Sequence, residues 1–234
     1  MRAREIWESL EKIIDLCNAQ EVELLLIAGD LFHRQPLLRE LKEVNGLFAR
    51  LVKTQVVFCA GNHDYLKKDS YYRTFSWEKH VHMMLNRELE TVELPEIGTV
   101  VYGFSYESRE RTDKPYVGKR AKGGQPAEIL MIHGGDERHV PVKREEVSNL
   151  GYDYIALGHI HKPQNIIPGK MAYCGAPEPI DKNDIGKHGY IYGEIVDKKC
   201  RVRFVPSAVR EYIHMEIRVT EDISGSILKE KIRK

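Results

Sequence analysis

No stretch of the chain is apolar enough to span a membrane, because charged residues interrupt every hydrophobic run before the roughly 20 residues that a spanning helix needs. The first residues form a charged amphipathic stretch rather than a signal peptide. The formal net charge is only +1, so any contact with nucleic acid has to be local. The cysteines form no Cys-x-x-Cys pair and are widely spaced, at Cys17, Cys59, Cys174 and Cys200. We therefore expect a cytoplasmic protein with free thiols and no membrane partner.

The chain does contain segments in which apolar residues recur at helical spacing. Its 234 residues suit one domain with a substantial core. The first segment predicts a helix that ends near Gln20, and Pro36 is placed to open a second helix. The predicted helices run from the N-terminus to Gln20, from Pro36 to Lys53, from Ser70 to Lys79, from Lys143 to Asn149, and from Glu221 onward.

The predicted strands are continuously apolar in the first two thirds of the chain. Residues 24–28 read LLLIA, with Val22 just before, and such a run is typical of a strand buried on both faces in a parallel sheet. The other strands of this kind are Gln55–Ala60, Thr99–Phe104, Glu128–Ile132 and Tyr154–Leu157. From Met171 the pattern is β-rich, with strands at Tyr190–Val196, Arg201–Val205 and Tyr212–Val219. We predict an α/β fold of layered β-sheets flanked by helices, with a β-rich C-terminal part.

Four of the apolar strands end in residues that can bind a metal. In chain order these are Asp30, Asn62-His63-Asp64, His133 and His159-x-His161. Each has another reading when taken alone, because Asp and Asn are common in turns and a single strand-end histidine is more often structural. The carboxyl ends of parallel strands meet at one edge of a sheet, so we expect the four groups to gather there. That convergence favours a metal site.

The types of ligand indicate the chemistry. Imidazoles combined with carboxylate and amide oxygen suit Mn²⁺, Fe²⁺ or Zn²⁺, and no thiolate is offered. A single carboxylate among several imidazoles is suited to bridging two cations, because each of its oxygens can face one metal. Two metals about 4 Å apart form a clamp for phosphoryl transfer and activate a shared water.

These groups resemble, in their order along the chain, the motifs of the calcineurin-like metallophosphoesterase superfamily. Gly29 to His33 (GDLFH) and Tyr173-x-Gly175-x-x-Glu178-Pro179 are similar to the SbcD-like branch of DNA-repair exonucleases, whose eukaryotic and archaeal relatives process double-strand breaks. The resemblance covers about Arg4 to Val219. It implies a metallophosphoesterase domain over residues 1–219, followed at 220–234 by the start of a capping segment.

The resemblance also implies roles for individual residues. Asp30 would bridge both metals, Asn62, His133 and His159 would complete one metal site, and His161 would belong to the other.

Three further residues would take part in catalysis by the same resemblance. His63 would act as general acid or stabilise the transition state, and Asp64 would orient His63. His33 would contact the substrate phosphate, although a solvent-exposed loop residue is an alternative reading.

One motif of the superfamily has no counterpart in the chain. The Asp-x-His motif should end a strand before the first helix, where only Met1 to Ala3 stand. One metal would then have only Asp30 and His161 as ligands. A late start codon, a shortened chain and a natural one-metal variant are the alternatives, and we expect a lost N-terminus.

The leading functional hypothesis is a metal-dependent phosphodiesterase that acts on DNA ends. By resemblance it would work beside an SbcC-like coiled-coil ATPase, and the resemblance also allows a homodimer. The segment Arg109–Pro126 is predicted to be a mobile surface loop, and its basic residues either contact phosphates or are simply solvated; they are Arg109, Arg111, Lys114, Lys119, Arg120 and Lys122. The alternatives are a phosphodiesterase for small or nucleotide substrates and an inert scaffold subunit that binds one metal.

Overall fold

The structure, a computed structural model, describes residues 2–219 and 223–233. The helices are α1 (Arg2–Ala19), α2 (Leu38–Phe48), α3 (Arg144–Ser148) and α4 (Gly225–Arg233). The strands are β1 (Leu24–Ile27), β2 (Gln55–Phe58), β3 (Val81–Met83), β4 (Glu90–Leu94), β5 (Thr99–Gly103), β6 (Ala127–His133), β7 (Tyr154–Gly158), β8 (Gln164–Ile167), β9 (Met171–Tyr173), β10 (Gly189–Val196) and β11 (Lys199–Pro206). Among these helices, none combines the length and the hydropathy that a bilayer crossing requires.

The strands form two sheets and a separate hairpin. Strands β1, β2 and β3 make a parallel three-stranded sheet in that order. A six-stranded sheet has the order β4-β5-β6-β7-β9-β8, and its pairs from β5 through β6 and β7 to β9 are parallel. Strands β10 and β11 pair antiparallel. The predicted α/β class, with layered sheets flanked by helices and a β-rich C-terminal part, is confirmed.

The core consists of three apolar layers separated by the two sheets. Alternation along β2 separates the first two layers, because Val56 and Phe58 face helices α1 and α2 whereas Val57 faces the other sheet. Between the sheets, Val57 packs with Met131 of β6 and Val101 of β5. The far face of the six-stranded sheet is covered by α3 and by the chain after β5. The two sheets therefore pack face to face.

The predicted meeting of four strand ends at one sheet edge is wrong in its topology. Strands β1 and β2 belong to the small sheet, and β6 and β7 belong to the large one. Their carboxyl ends come together because the sheets pack against each other. The full burial predicted for the first strand is also wrong, since all four residues of Leu24–Ile27 are partly exposed. In the described part of the chain β1 pairs only with β2, which makes it an edge strand.

Several element boundaries differ from the predictions. Helix α2 begins at Leu38 and not at Pro36. Leu37 is the N-cap, because the Glu40 carboxylate accepts a hydrogen bond from its backbone N–H. The helix predicted for Ser70–Lys79 is a single 3₁₀ turn at Tyr71–Arg73. Residues 212–219 form no strand ladder. Strands β3, β4 and β8 were not predicted, since runs of three to five half-exposed residues carry little periodicity.

The segment Arg109–Pro126 contains no helix or strand ladder, as predicted, but parts of it are anchored. Tyr116 is fully buried, and the buried Arg111 donates to Asp113 and to the carbonyl oxygen of Ser105. Lys114 pairs with Glu146 at 2.6 Å. Arg111 and Lys114 are thus engaged within the protein and are not available to phosphates, which corrects that part of the prediction.

The C-terminal helix is confirmed in part. Helix α4 covers Gly225–Arg233 of the predicted segment, and residues 221, 222 and 234 lie outside the described residues. The domain boundary at residue 219 stays a prediction.

Candidate metal centre

The chain leaves β1 through two unusual backbone positions that place Asp30. Gly29 has φ +86° and lies so close to His133 that a Cβ atom here would overlap the imidazole ring. Asp30 itself has φ +52°, in the left-handed region that side chains other than glycine rarely adopt. Such backbone positions concentrate at functional sites. The carboxylate is held by the backbone N–H of His63, which donates to Oδ1 at 2.9 Å.

Four ligand atoms face one another where the two sheets meet. Nε2 of His133 lies 2.9 Å from Oδ1 of Asn62 and 3.3 Å from Oδ2 of Asp30. Nδ1 of His159 lies 3.2 Å from the same Asn62 oxygen. The small sheet thus supplies Asp30 and Asn62, and the large sheet supplies His133 and His159. We call these four residues the ligand group.

Each imidazole makes a hydrogen bond on the side away from the ligand group, and this bond indicates which ring nitrogen carries the proton. Nδ1 of His133 donates to the carbonyl oxygen of Ala28 at 2.8 Å, so in the neutral ring Nε2 carries a lone pair. Nε2 of His159 donates to Oδ2 of Asp136 at 2.8 Å, which leaves the lone pair on Nδ1. When both rings are neutral, lone pairs face lone pairs in the ligand group, and a positive charge there, whether a proton or a metal ion, relieves their repulsion.

The electrostatics of the ligand group also favour a cation. Burial raises the pKa of Asp30, but the interactions with His133 and the backbone N–H of His63 outweigh it and hold the pKa below its usual value. Burial lowers the pKa of His133, yet the hydrogen bond and charge of Asp30 outweigh it and raise the pKa. Both shifts express the attraction between the Asp30 carboxylate and a positive charge on the His133 ring, so the ligand group favours a positive charge beside Asp30. Two nitrogen and two oxygen ligands fit a divalent metal of the Mn²⁺, Fe²⁺ or Zn²⁺ type.

His161 lies outside the ligand group. Its Nδ1 contacts the carboxylate of Asp184 at 3.0 Å, which leaves Nε2 as the nitrogen that can bind a metal. Within residues 2–219 and 223–233, neither cluster of His and acidic residues with metal-binding spacing includes it. The assignment of His161 to a second metal, and of Asp30 as a bridge to it, stays a prediction.

We predicted that Asp64 orients His63, but the described hydrogen bonds of the Asp64 carboxylate go to other residues. Its carboxylate is fully buried and accepts hydrogen bonds from the backbone N–H groups of Gly61 and Phe32 and from the hydroxyl of Tyr72. Burial raises the pKa of Asp64 to about 6. Asp64 therefore links the turn that carries Asn62 to the residues that follow Asp30, and this helps to hold these two ligands in place.

His63 and His33 lie side by side next to the ligand group. Their rings are stacked with centroids 4.2 Å apart and planes 24° from parallel. Burial lowers the pKa of His63, and the nearby negative charge of Asp30 opposes that effect in part. A neutral imidazole still donates one N–H, so this pair offers hydrogen-bond donors to an anionic ligand.

Sequence reasoning missed three residues that support the site: Asp136, His139 and Asp184. Asp136 accepts from His159 and His139, and burial, which raises its pKa, is outweighed by these bonds so that the pKa lies well below its usual range. The signal for Asp136 was present, since it ends the polar turn His133-Gly134-Gly135-Asp136 after β6. Asp184 stands in a loop with no such pattern.

Comparison with known proteins identifies the family. The sequence matches the calcineurin-like phosphoesterase profile over residues 4–163. It is 30% identical over 200 residues to "Uncharacterized metallophosphoesterase YhaO" of Bacillus subtilis (strain 168), covering 78% of this chain and 48% of that protein.

Two other relatives are named for DNA repair or nuclease activity. The DNA double-strand break repair protein Mre11 of Methanopyrus kandleri is 24% identical over 217 residues, which cover 80% of this chain and 48% of Mre11. The SbcD component of the nuclease SbcCD of Escherichia coli (strain K12) is 50% identical over 42 residues, which cover 17% of this chain and 10% of that protein. The chain spans about half the length of the first and the second of these three relatives.

The profile match extends from α1 through β7 and includes every member of the ligand group. Members of this family are hydrolases that use divalent metals, and the opposed lone pairs at the meeting of the two sheets agree with that chemistry. The chain belongs to the calcineurin-like phosphoesterase family.

Proposed function

We propose that the protein is a metal-dependent phosphodiesterase that hydrolyses phosphodiester bonds at DNA ends. The observation that carries the proposal is the ligand group, in which Asp30, Asn62, His133 and His159 direct four lone pairs into one space. When bound there, a divalent cation supplies Lewis-acid polarisation of phosphoryl oxygens. The stacked imidazoles of His63 and His33 are on hand to bind the phosphate.

His63 is our candidate for the residue that assists the leaving oxygen. Its backbone is fixed by the hydrogen bond to Asp30, and its ring is steadied by the stack on His33. A ring held in this way can donate a proton or a hydrogen bond to the oxygen on which charge develops. To His33, the exposed member of the stack, we assign the contact with a non-bridging phosphate oxygen.

The first test separates catalysis from metal binding. Hydrolysis of bis(para-nitrophenyl) phosphate should require added Mn²⁺, and His63→Gln should lower turnover by about 100-fold or more, because positioned acid–base groups contribute roughly 10²–10⁴. The Mn²⁺ dissociation constant of His63→Gln should stay that of the wild type, since His63 is not in the ligand group. His214→Gln is the matched control, because His214 is exposed and distant in sequence from the site.

A wild-type protein that binds Mn²⁺ tightly but shows no turnover would overturn the enzymatic proposal. The inert scaffold subunit would then be the better description.

The DNA part of the proposal is supported by names of relatives and by local charge. One relative is named a double-strand break repair protein and another a nuclease component, although each at low identity or over a short segment. Four basic residues of the loop after β5 are exposed, namely Arg109, Lys119, Arg120 and Lys122. An SbcC-like ATPase partner and a homodimer are part of the same proposal.

The second test measures how the affinity for a duplex end depends on salt. Each phosphate contact adds about 0.9 to the slope of log affinity against log salt. The triple change Lys119→Gln, Arg120→Gln and Lys122→Gln should therefore reduce the slope by up to about 2.7. The same number and type of charges are removed in the control Lys12→Gln, Arg39→Gln and Lys42→Gln, whose exposed positions lie on α1 and α2.

Equal slopes for the two triple variants would remove this loop from the DNA contact. Turnover on nucleotide diesters without any salt-dependent affinity for duplex ends would favour the small-substrate phosphodiesterase.

A further inference from the structure

The turn after β6, residues 134–140, carries Asp136 and His139, which lie on the side of the His159 ring that faces away from Asn62. Oδ2 of Asp136 accepts from Nε2 of His159 at 2.8 Å. Oδ1 accepts from the backbone N–H groups of Arg138 at 2.8 Å and of His139 at 3.0 Å. The ring Nδ1 of His139 lies 2.9 Å from both oxygens. Asp136 is therefore held from one side by its own turn while it holds His159 on the other.

Close backbone contacts restrict the conformation of the 134–140 turn. Gly135 donates its N–H to the carbonyl oxygen of His139 at 2.8 Å, and a Cβ on Gly134 would lie 2.6 Å from the carbonyl oxygens of His139 and Val140. Val140 is fully buried with φ +39°, a costly conformation for a β-branched residue. Such strain persists only where the surroundings dictate it. The turn thus forms a rigid support for Asp136.

The hydrogen bond to Asp136 determines which ring nitrogen of His159 faces the ligand group. His159 has φ +85° and directly follows the end of β7, so it is not part of the strand ladder. Its ring packs against the ring of His139, with centroids 4.4 Å apart. With Nε2 bound to Asp136, Nδ1 is turned toward Asn62.

We propose that Asp136, steadied by His139, is a positioning residue that orients His159 for metal binding and thereby sets the affinity of the metal centre. The proposal rests on the metal-binding part of the proposed function and is independent of the substrate. A carboxylate behind a metal-binding imidazole fixes the ring and raises its basicity. Among the four residues of the ligand group, the described hydrogen bonds of Asp136 reach His159 alone, so Asp136 acts on the metal centre through that ring.

The same residues could instead be a second metal site, because Asp136, His139 and His159 bring ligand atoms within 4.8 Å of one another. The contacts favour the positioning role. Both oxygens of the Asp136 carboxylate already face N–H donors: Oδ1 accepts from the backbone N–H groups of Arg138 and His139, and Oδ2 accepts from the ring of His159. No lone pairs oppose each other as they do in the ligand group.

The test compares Asp136→Asn with Glu137→Gln. Both changes replace an acid by its amide in the same turn, but Glu137 is exposed and is not among the groups that contact His159. Asp136→Asn should weaken Mn²⁺ binding by about 10- to 100-fold, the usual effect of losing a partner behind a metal ligand. Glu137→Gln should leave the dissociation constant unchanged. Because the Asp136 side chain is 47% exposed, the fold should survive its replacement, and thermal unfolding of the metal-free variants checks this.

A spectroscopic measurement makes the result independent of activity. The ring Nε2–H of His159 should give a downfield, slowly exchanging proton resonance in the metal-free protein, assigned by its loss in His159→Gln. In Asp136→Asn the amide oxygen should stay with the backbone N–H groups of Arg138 and His139, so the amide nitrogen should face Nε2 of His159 and the resonance should disappear, whereas it should persist in Glu137→Gln. Unchanged Mn²⁺ affinity in Asp136→Asn would overturn the proposal. Loss of one bound metal equivalent, with the affinity of the other unchanged, would also overturn it and favour a second metal site.

Discussion

Replacement of Asp30 by Asn is expected to weaken Mn²⁺ binding by at least about 100-fold, since losing a metal ligand should exceed the roughly 10- to 100-fold cost of losing an outer partner. The variant keeps the shape of the side chain, and its amide oxygen can still accept from the backbone N–H of His63. What it removes is the only negative charge in the ligand group. Equilibrium dialysis of Mn²⁺ measures the affinity, and phosphodiester hydrolysis should fall with it.

Asp69→Asn is the matched control for this change. Asp69 is exposed and stands a few residues after the Asn62-His63-Asp64 turn, so the variant loses the same charge without touching the ligand group. Similar Mn²⁺ affinities for Asp30→Asn and Asp69→Asn would show that the four opposed lone pairs are not the metal site.

Gly29→Ala is expected to destabilise the protein by about 2–5 kcal/mol, the sum of about 1–2 kcal/mol for a left-handed alanine and about 1–3 kcal/mol for overpacking. The added methyl would overlap the ring of His133, with Cγ only 2.6 Å away, and Gly29 has φ +86°. For a domain of this size the Tm should fall by roughly 4–20 °C. Because the methyl also pushes on a metal ligand, Mn²⁺ affinity should fall in the fraction that remains folded.

Gly46→Ala is a control for which we expect the opposite change in stability. Gly46 lies within α2, exposed, with nothing within 4 Å of the position that a methyl group would take. Gly46→Ala should therefore stabilise the protein by about 0.5–1 kcal/mol, the ordinary gain of alanine over glycine in a helix. Equal Tm values for the two variants would mean that Gly29 does not approach His133 as closely as described.

The ligand group was predictable because its residues stand at the ends of strands. An apolar run followed by Asp30, Asn62, His133 or His159 carries both facts, the strand and the ligand, in a few adjacent residues. The sheet to which each strand belongs was not predictable in this way. Whether β6 pairs with β2 or with β5 is decided by contacts between distant segments, and both arrangements give the same apolar pattern.

The roles of Asp64 and Asp136 illustrate the same limit. Asp64 adjoins His63 in the sequence, which favoured a contact between them, yet its bonds go to Gly61, Phe32 and Tyr72. Asp136 bonds to His159, 23 residues further along the chain. Hydrogen bonds of this kind depend on side-chain directions that a sequence pattern does not encode, whereas the burial that makes Asp64 unusual could have been inferred only from its neighbours in space.

The face-to-face packing of the two sheets gives a bound metal a mechanical role. Asp30 and Asn62 come from one sheet and His133 and His159 from the other, so an ion held by all four is a cross-link between them. Any ligand that binds only the folded state adds stability, about 2.7 kcal/mol at a concentration 100 times its dissociation constant. Separation of the sheets therefore requires release of the ion, although the ion can also leave while the protein stays folded. The metal content of the surroundings then governs how often the apolar interface around Val57 and Met131 opens to water.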